Sequence, residues 1–194
     1  MNNTRERSAP AWLEIVLCGP DGRVRQDTSS VVAVPGIAAT SIVEVADLSA
    51  VLEPDRLHLL ILRLVDRRGG ELAQNSDWFH GTQRPQPDNA YAPLRRLDAA
   101  ELQARSRGQR RGGEWHVDLT LRNPGSVCAF QVRLQLLDRG GARLTPFYAA
   151  DNYLTVLPGQ SRVIGLSTRA TDRRPRLVLS GWNVAATEVP VRWQ

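Results

Sequence analysis

Apolar and polar side chains alternate regularly in the second half of the chain. Over Ala129–Leu137 the apolar residues share one face of an extended chain and the polar residues share the other, which predicts a half-buried β-strand. Turn residues follow at 138–141, and residues 142–147 run back, so the pattern predicts a β-hairpin. A further turn at 157–160 leads into another predicted strand at 162–167.

The same periodicity predicts strands on both sides of this hairpin. Glu114–Arg122 alternates along its whole length, and residues 102–108 form the strand before it. One helical turn is expected at 97–102. Arg176–Ser180 and residues 182–191 complete the strands predicted for this half of the chain.

The first half of the chain shows a similar series of strands and turns. Residues 12–17 alternate, a Gly-Pro-Asp-Gly turn reverses the chain, and residues 23–27 return. Leu57–Val65 is almost continuously apolar, as in a central sandwich strand, and a glycine turn leads into a strand at 71–79. Between these pairs we predict short strands at 31–34 and 41–45, and one helical turn at 47–52.

Three segments repeat the order of strand, charged glycine turn and strand: LCGPDGRV, LVDRRGGEL and LLDRGGARL. This recurrence is typical of immunoglobulin-like β-sandwiches. A Pro-rich linker is predicted at 81–96, between a domain at 1–80 and a domain at 97–194. The predicted fold is therefore all-β, with two immunoglobulin-like sandwiches in tandem.

Several short motifs occur in order over roughly sixty residues of the second domain. They are Leu121-x-Asn123-Pro124, Ala129-Phe130-x-Val132-Arg133-Leu134-Gln135-Leu136-Leu137-Asp138, Pro146-Phe147-Tyr148, Asp151-Asn152-Tyr153, Leu157-Pro158-Gly159 and Gly181-Trp182-Asn183-Val184. This series resembles the last immunoglobulin-like domain of glycoside hydrolase family 2 enzymes of the exo-β-D-glucosaminidase and β-mannosidase type.

The first domain resembles the penultimate immunoglobulin-like domain of the same enzymes. The matching features are Asp21-Gly22, Leu57–Val65, Gly69-Gly70 and Asn75-Ser76-Asp77-Trp78. Such a sandwich has two strands ahead of the Trp12 hairpin, where this chain has eleven residues, and residues 1–4 look like the exit of a second strand. We therefore expect that the first domain lacks its N-terminal strands and that its sheet carries an unpaired edge.

The net charge of +5 comes from a chain in which every basic residue is Arg. A basic balance suggests nucleic-acid binding as one function class. The Arg residues are spread among Asp and Glu, however, and the one run, at 105–111, is interpreted as a solvated loop because a phosphate-binding patch would need aromatic or Gly-rich partners. We predict no nucleic-acid partner. A hydrophobic fraction of 42% also excludes a disordered chain.

Cys18 and Cys128 are predicted to be buried thiols, with an interdomain disulfide as the alternative in an oxidising compartment. The three histidines His58, His80 and His116 are scattered, so we predict neither a metal site nor a cofactor. The polar N-terminus MNNTRERSAP has no signal-peptide pattern, and no stretch has the length of a membrane span. As it stands the chain would be cytoplasmic, although the enzymes it resembles are often secreted.

Glycoside hydrolysis with retention requires two carboxylates roughly 5 Å apart on either side of a sugar pocket. In the family that this sequence resembles, that pair lies on a (β/α)₈ barrel that precedes these domains. The sequence has no alternation of strands and helices. The resemblance therefore implies that this chain contains no catalytic residue.

The best candidates for sugar binding are Asp151 and Asn152, as hydrogen-bonding partners of hydroxyls, with Tyr153, Tyr148 or Phe147 as a stacking platform. In the alternative interpretation, Asp151 and Asn152 cap a turn through their side chains and Tyr153 packs into the sandwich.

Exposed indoles would also favour sugar binding. Four of the five Trp residues lie in predicted strands and fit a core, with Trp182 closing it, and Trp193 is expected to be the most exposed.

These observations predict a non-catalytic accessory region that supports a glycoside hydrolase barrel. The predicted partners are that barrel and, less directly, a chitosan- or mannan-type oligosaccharide. The alternatives are a stand-alone carbohydrate-binding module, one piece of a split hydrolase, and a gene remnant without a selected function.

Overall fold

The computed structural model describes residues 10–19, 21–32, 52–53, 56–81, 91–169 and 171–194. Regular structure in these ranges consists of thirteen β-strands and one 3₁₀ helix, Ala92–Arg96, which confirms the prediction of an all-β protein. No helix within these ranges is long and apolar enough to cross a membrane. The chain divides into two compact units, Met1–Arg96 and Leu97–Gln194, and each is described separately.

Besides the 3₁₀ helix, four strands are described for the first unit: β1 (Ala11–Cys18), β2 (Val24–Val32), β3 (Leu57–Val65) and β4 (Glu71–His80). They form one antiparallel sheet in the order β2-β1-β3-β4. The continuous apolar run therefore occupies a central strand, as the sequence predicted. Its residues Leu57, Leu59 and Ile61 are buried.

The hairpin between β3 and β4 closes through the side chain of Asp66. One carboxylate oxygen accepts hydrogen bonds of 2.7 Å from the backbone amides of Arg68 and Gly70. Gly69 has a φ of 78°, a conformation that glycine adopts without the steric cost of a Cβ. The charged glycine turn seen in the sequence is therefore closed by local hydrogen bonds to Asp66 and by the positive φ of Gly69.

Some predictions for the first unit fall on residues beyond those described. Part of the predicted strand at 31–34 is the end of β2, and the 3₁₀ helix occupies the end of the predicted linker at 81–96. The predictions that lie wholly or largely outside the described residues are the strand exit at 1–4, the strand at 41–45, the helical turn at 47–52 and the centre of the linker at 82–90.

Nine strands form two sheets in the second unit. The strands are β5 (Gln103–Arg111), β6 (Glu114–Arg122), β7 (Ala129–Leu137), β8 (Phe147–Ala149), β9 (Leu154–Val156), β10 (Ser161–Thr168), β11 (Arg176–Ser180), β12 (Thr187–Val189) and β13 (Val191–Trp193). One sheet has the order β13-β5-β6-β10-β8 and the other the order β12-β11-β7-β9. The pair β13 and β5 is parallel, and the other described pairs are antiparallel.

The inward faces of both sheets build one hydrophobic core. Leu119 of β6 and Ile164 of β10 come from the five-stranded sheet, and Leu134 of β7 and Leu177 of β11 come from the other sheet. All four are almost fully buried. Because alternating residues of each strand point to opposite faces, the apolar alternation read from the sequence becomes the filling of a β-sandwich, as predicted.

A buried asparagine fixes the loop that leads from β6 into β7. Asn123 is 0% exposed, and its amide nitrogen donates to the carbonyls of Val127 and Val156 at 2.8 and 2.9 Å. Its side-chain oxygen accepts a bond of 3.0 Å from the Gly125 amide. A buried polar group needs such partners, so the Asn-Pro motif is a structural feature of the sandwich.

Two predictions about the start of the second unit are wrong. Residues 97–102 form no helical turn, and the described helical segment is the 3₁₀ helix just before them. The arginine run at 105–111 is not a loop but part of β5. This strand alternates small or half-buried residues with exposed arginines, so a regular strand at the sandwich surface carries the charge.

Two predictions about later strands are also wrong. After the turn at 138–141, the returning chain makes only a bridge from Arg143 to Leu137 before it crosses to the other sheet, where β8 pairs with β10. The strand predicted at 182–191 is replaced by the short strands β12 and β13, and β13 joins the sheet opposite to that of β12.

The C-terminal strand β13 packs closely against the backbone of β5 at Gly108. Trp193 lies with its ring centroid 5.0 Å from that of Trp115, in an edge-to-face arrangement with an interplanar angle of 73°. A Cβ on Gly108 would overlap the Trp193 ring and lie 2.7 Å from Val191 Cγ1. Trp193 is therefore half-buried, and the prediction that it is the most exposed Trp is wrong.

Both cysteines are buried. Cys18 lies in β1 and is 0% exposed, and Cys128 lies just before β7 and is 2% exposed. Both are thiols in the structure, in agreement with the prediction of buried thiols.

We expect Asn123→Ala to destabilise the second unit by about 3 kcal/mol, because it leaves two buried carbonyls and one amide without partners. Denaturant unfolding measures this change in the free energy of unfolding. The control is Thr120→Ala, at an exposed position of β6, which should change stability by less than about 0.5 kcal/mol. Equal effects of the two substitutions would contradict the role given to Asn123.

Gly108→Ala should destabilise the second unit by about 1 to 3 kcal/mol, since the added methyl group displaces the Trp193 ring. The loss should appear as a lower thermal unfolding temperature. It should also appear as a change in Trp fluorescence that reports greater solvent exposure of the Trp side chains. Gly165→Ala is the matched control, because a Cβ on Gly165 in β10 meets nothing within 4 Å. Stability of that variant should be unchanged or higher by up to about 1 kcal/mol. A Gly108→Ala protein as stable as the control would disprove the close approach.

Candidate functional site

The side-chain amide of Asn152 forms hydrogen bonds with the backbone of β7. The side-chain oxygen accepts a hydrogen bond of 2.8 Å from the Leu134 amide, and the side-chain nitrogen donates to the Leu134 carbonyl at 3.1 Å. The same oxygen accepts a bond of 3.0 Å from the Tyr153 amide. Asn152 thus pairs with β7 as a neighbouring strand would, and its amide is already occupied.

Asp151 forms an ion pair with β10. One carboxylate oxygen lies 2.7 Å from Nη2 of Arg162, a residue that is 8% exposed. The other oxygen accepts a hydrogen bond of 2.8 Å from the backbone amide of Asn152. The buried guanidinium requires a nearby negative charge, because burial of an uncompensated charge is costly. Asp151 therefore supports the strand that contains Arg162.

The two candidate tyrosines lie on different sheets. Tyr153 precedes β9, is 57% exposed and has a φ of 56°, so the alternative in which it packs into the sandwich is wrong. Tyr148 lies on β8 in the other sheet and is 62% exposed. Tyr148 is not among the residues that line the grooves around Tyr153. The structure therefore does not bring the four predicted residues together in one site.

Tyr153 instead lines a groove on the outer face of β7, which we call the aromatic groove. Its volume is about 470 Å³, and it is lined by Gln131, Arg133, Ser180, Tyr153 and Trp182, together with Phe130 and Gly181. Trp182 is 56% exposed, so the prediction that it closes the core is wrong. A second depression shares Arg133 and Tyr153 and continues along β7.

Asn183 positions Trp182 at the rim of this groove. Its side-chain oxygen accepts a bond of 2.9 Å from the Phe130 amide, and its nitrogen donates to the Cys128 carbonyl at 2.9 Å. The Trp182 amide donates to the Phe130 carbonyl at 2.9 Å. These bonds anchor the turn after β11 to β7, and the indole is left on the outside.

Sequence reasoning missed Trp182, Arg133 and Gln131 as members of a common surface. The outward positions of Gln131 and Arg133 on β7 were readable from the alternation. Their proximity to Trp182 depends on the pairing of β7 with β11, which brings Ser180 opposite Arg133. The sequence held no signal for that pairing.

Two glutamates of the second unit have pKa values shifted downward. A hydrogen bond from Ser167, together with the charge of Arg169, lowers the pKa of Glu114. A hydrogen bond from Arg176 lowers the pKa of Glu188. A catalytic acid for glycoside cleavage needs a raised pKa, so these shifts have the opposite sign.

Within the described ranges, no group of three or more His, Cys, Asp or Glu side chains is arranged to hold a metal ion. The aromatic groove combines polar side chains with the aromatic rings of Tyr153 and Trp182.

Comparison with known sequences identifies a domain family. The sequence model of the exo-beta-D-glucosaminidase Ig-fold domain matches residues 78–184. This range begins near the end of β4 and includes every motif of the second domain on which the sequence resemblance rests.

The relatives are much longer proteins. Exo-beta-D-glucosaminidase from Streptomyces avermitilis is 26% identical over 214 residues, which cover 98% of this chain and 23% of that protein. The enzyme of the same name from Hypocrea virens is 27% identical over 210 residues, which cover 97% of this chain and 23% of that protein. This chain thus spans about a quarter of the length of the curated relatives it matches.

A solved structure shares the fold. The exo-chitosanase CsxA from Amycolatopsis orientalis superposes with a TM-score of 0.73 at 19% identity, over 97% of this chain and 24% of that chain. The resemblance to exo-β-D-glucosaminidases that the motifs indicated is confirmed. Since the domain match covers more than half of the sequence, this chain belongs to the exo-beta-D-glucosaminidase Ig-fold domain family.

Proposed function

We propose that this chain is a non-catalytic accessory β-sandwich region of a glycoside hydrolase that cleaves glucosaminides. The observation that carries the proposal is the match of almost the whole chain to less than a quarter of each exo-beta-D-glucosaminidase. The partner is the catalytic barrel of such an enzyme. Glucosaminide is favoured over mannoside because the relatives are named exo-beta-D-glucosaminidases.

The carboxylates of the second unit support a structural role. Asp151 pairs with Arg162, and Glu188 pairs with Arg176 through both of its oxygens. A retaining hydrolase needs two carboxyls that face one sugar, one protonated and one ionised. Asp151 and Glu188 are instead paired with arginines of β10 and β11, which supports a structural contribution to the sandwich.

Packing is the contribution that such a region makes to a larger enzyme. A sandwich with a filled core is rigid, and its outer faces offer fixed contact surfaces to neighbouring domains. Function in proteins of this kind resides in specific surfaces and not in the fold itself. The proposal includes the tandem arrangement, with immunoglobulin-like domains at 1–80 and 97–194 joined by the linker at 81–96.

The test is a segment exchange in the Streptomyces avermitilis enzyme. The matched segment is replaced by this chain, and hydrolysis of 4-nitrophenyl β-D-glucosaminide is measured beside the native enzyme and a deletion of the segment. We expect the chimera to keep activity within about tenfold of the native enzyme, while the deletion loses more than about a hundredfold, since the barrel surface loses its packing partner.

The 194-residue chain alone should hydrolyse neither the glucosaminide nor the corresponding β-mannoside. Turnover by the isolated chain would refute the proposal. Restoration of the deleted enzyme by this chain added in trans would favour the split hydrolase. A deletion as active as the native enzyme would favour the stand-alone binding module.

A further inference from the structure

Unusual backbone conformations converge on the aromatic groove. Among the described residues, the non-glycine positions with positive φ are Gln131 at 52° and Tyr153 at 56°. Both residues line this groove. The left-handed conformation costs free energy for a residue with a Cβ, and such positions concentrate at binding sites. Gln131 and Tyr153 therefore occupy two backbone positions that glycine would adopt at a lower cost in free energy.

The order of the strands gives the groove a floor and two walls. Strand β7 lies between β11 and β9, and its outward residues Gln131 and Arg133 form the floor. Trp182 follows β11 on one side, and Tyr153 precedes β9 on the other. Neighbouring strands are about 5 Å apart, so the two walls arise from strands about 10 Å apart. The result is a polar trough flanked by two exposed aromatic rings.

Three polar side chains at the floor and edge of the groove have no polar partner among the described residues. Gln131, Arg133 and Ser180 make no side-chain hydrogen bond or ion pair with any described residue. All three side chains line the groove. Three polar groups without such partners in one groove are suited to bind the oxygens of a ligand.

We propose that the aromatic groove binds a neutral oligosaccharide. A pyranose ring has apolar C–H faces that pack on aromatic rings and a rim of hydroxyls that pair with a polar floor. A groove of about 470 Å³ with a few convergent polar groups has the dimensions of a small-ligand site. Trp, Tyr and Arg are also enriched at the centres of protein interfaces, so a protein partner is the alternative that the absence of saccharide binding would favour.

Charge decides which saccharide fits. Arg133 lines both the aromatic groove and the adjoining depression, Arg143 lines the latter, and neither lining includes a described Asp or Glu. A protonated amino sugar would meet positive charge that nothing in the lining offsets. The groove therefore selects uncharged units, such as N-acetylated or simple glucosyl residues, against protonated glucosamine. This inference does not require the catalytic barrel.

The experiment is calorimetric titration of the 194-residue chain at about pH 5, where the amines of the cationic ligand are protonated. The ligands are hexa-N-acetylchitohexaose, cellohexaose and the fully deacetylated glucosamine hexamer. We expect at least one neutral hexamer to bind with a Kd of about 0.1 to 1 mM, and the cationic hexamer to bind at least tenfold more weakly.

Two groove variants assign the binding to this site. Trp182→Ala should weaken binding of the neutral hexamer by about tenfold, because stacking on one aromatic ring is lost. Arg133→Gln should narrow the difference in affinity between the neutral and the cationic hexamers, because it removes a positive charge from the groove. Tyr91→Ala, at an exposed tyrosine of the first unit, is the control and should bind as the native chain does. Circular dichroism and thermal unfolding check that each variant is folded.

Three outcomes would overturn the proposal. The first is the absence of saturable binding to either neutral hexamer. The second is equal affinity for the cationic hexamer. The third is a loss of binding in Tyr148→Ala as large as that in Trp182→Ala, which would move the site to the other sheet. None of these outcomes bears on the segment exchange, so the two proposals can fail separately.

Discussion

Asparagine side chains complete the backbone hydrogen bonding of β7, and the four-stranded sheet depends on them. The neighbouring strand β9 is only three residues long and pairs irregularly with β7. Asn183 bonds the amide of Phe130, Asn152 bonds both backbone groups of Leu134, and Asn123 joins the loop before β7 to β9. Because unpaired buried backbone groups are costly, these amides act as substitutes for a longer strand.

The same amides determine which aromatic residues face solvent. Asn152 and Asn183 each turn toward β7, so their sequence neighbours Tyr153 and Trp182 are directed outward on opposite sides of that strand. A structural requirement therefore generates two exposed rings at a fixed separation. The polar outward face of β7 lies between them. One set of hydrogen bonds thus builds both the sheet and the aromatic groove.

The two proposals use different properties of the same sandwich. Support of a catalytic barrel relies on a rigid body whose core residues, such as Leu134 and Leu177, leave no freedom to rearrange. Sugar binding relies on side chains of the outer face that the core does not need. A domain with a filled core and ion pairs such as Asp151–Arg162 and Glu188–Arg176 on its sheets can provide both.

By itself the sequence determined the long strands and the family. Alternation along β6 and β7 is a local property of the chain, and the family motifs are short segments that can be read directly from it. The bonds that the asparagines make are not local, since Asn152 and Asn183 reach Leu134 and Phe130, 18 and 53 residues away. The sequence did not determine that residues 142–147 cross to the other sheet, that Trp193 packs on Trp115, or that Trp182 stays outside. Only the tertiary structure decided these points, because the exposure of a side chain depends on strands that are distant in the sequence and meet it only after folding.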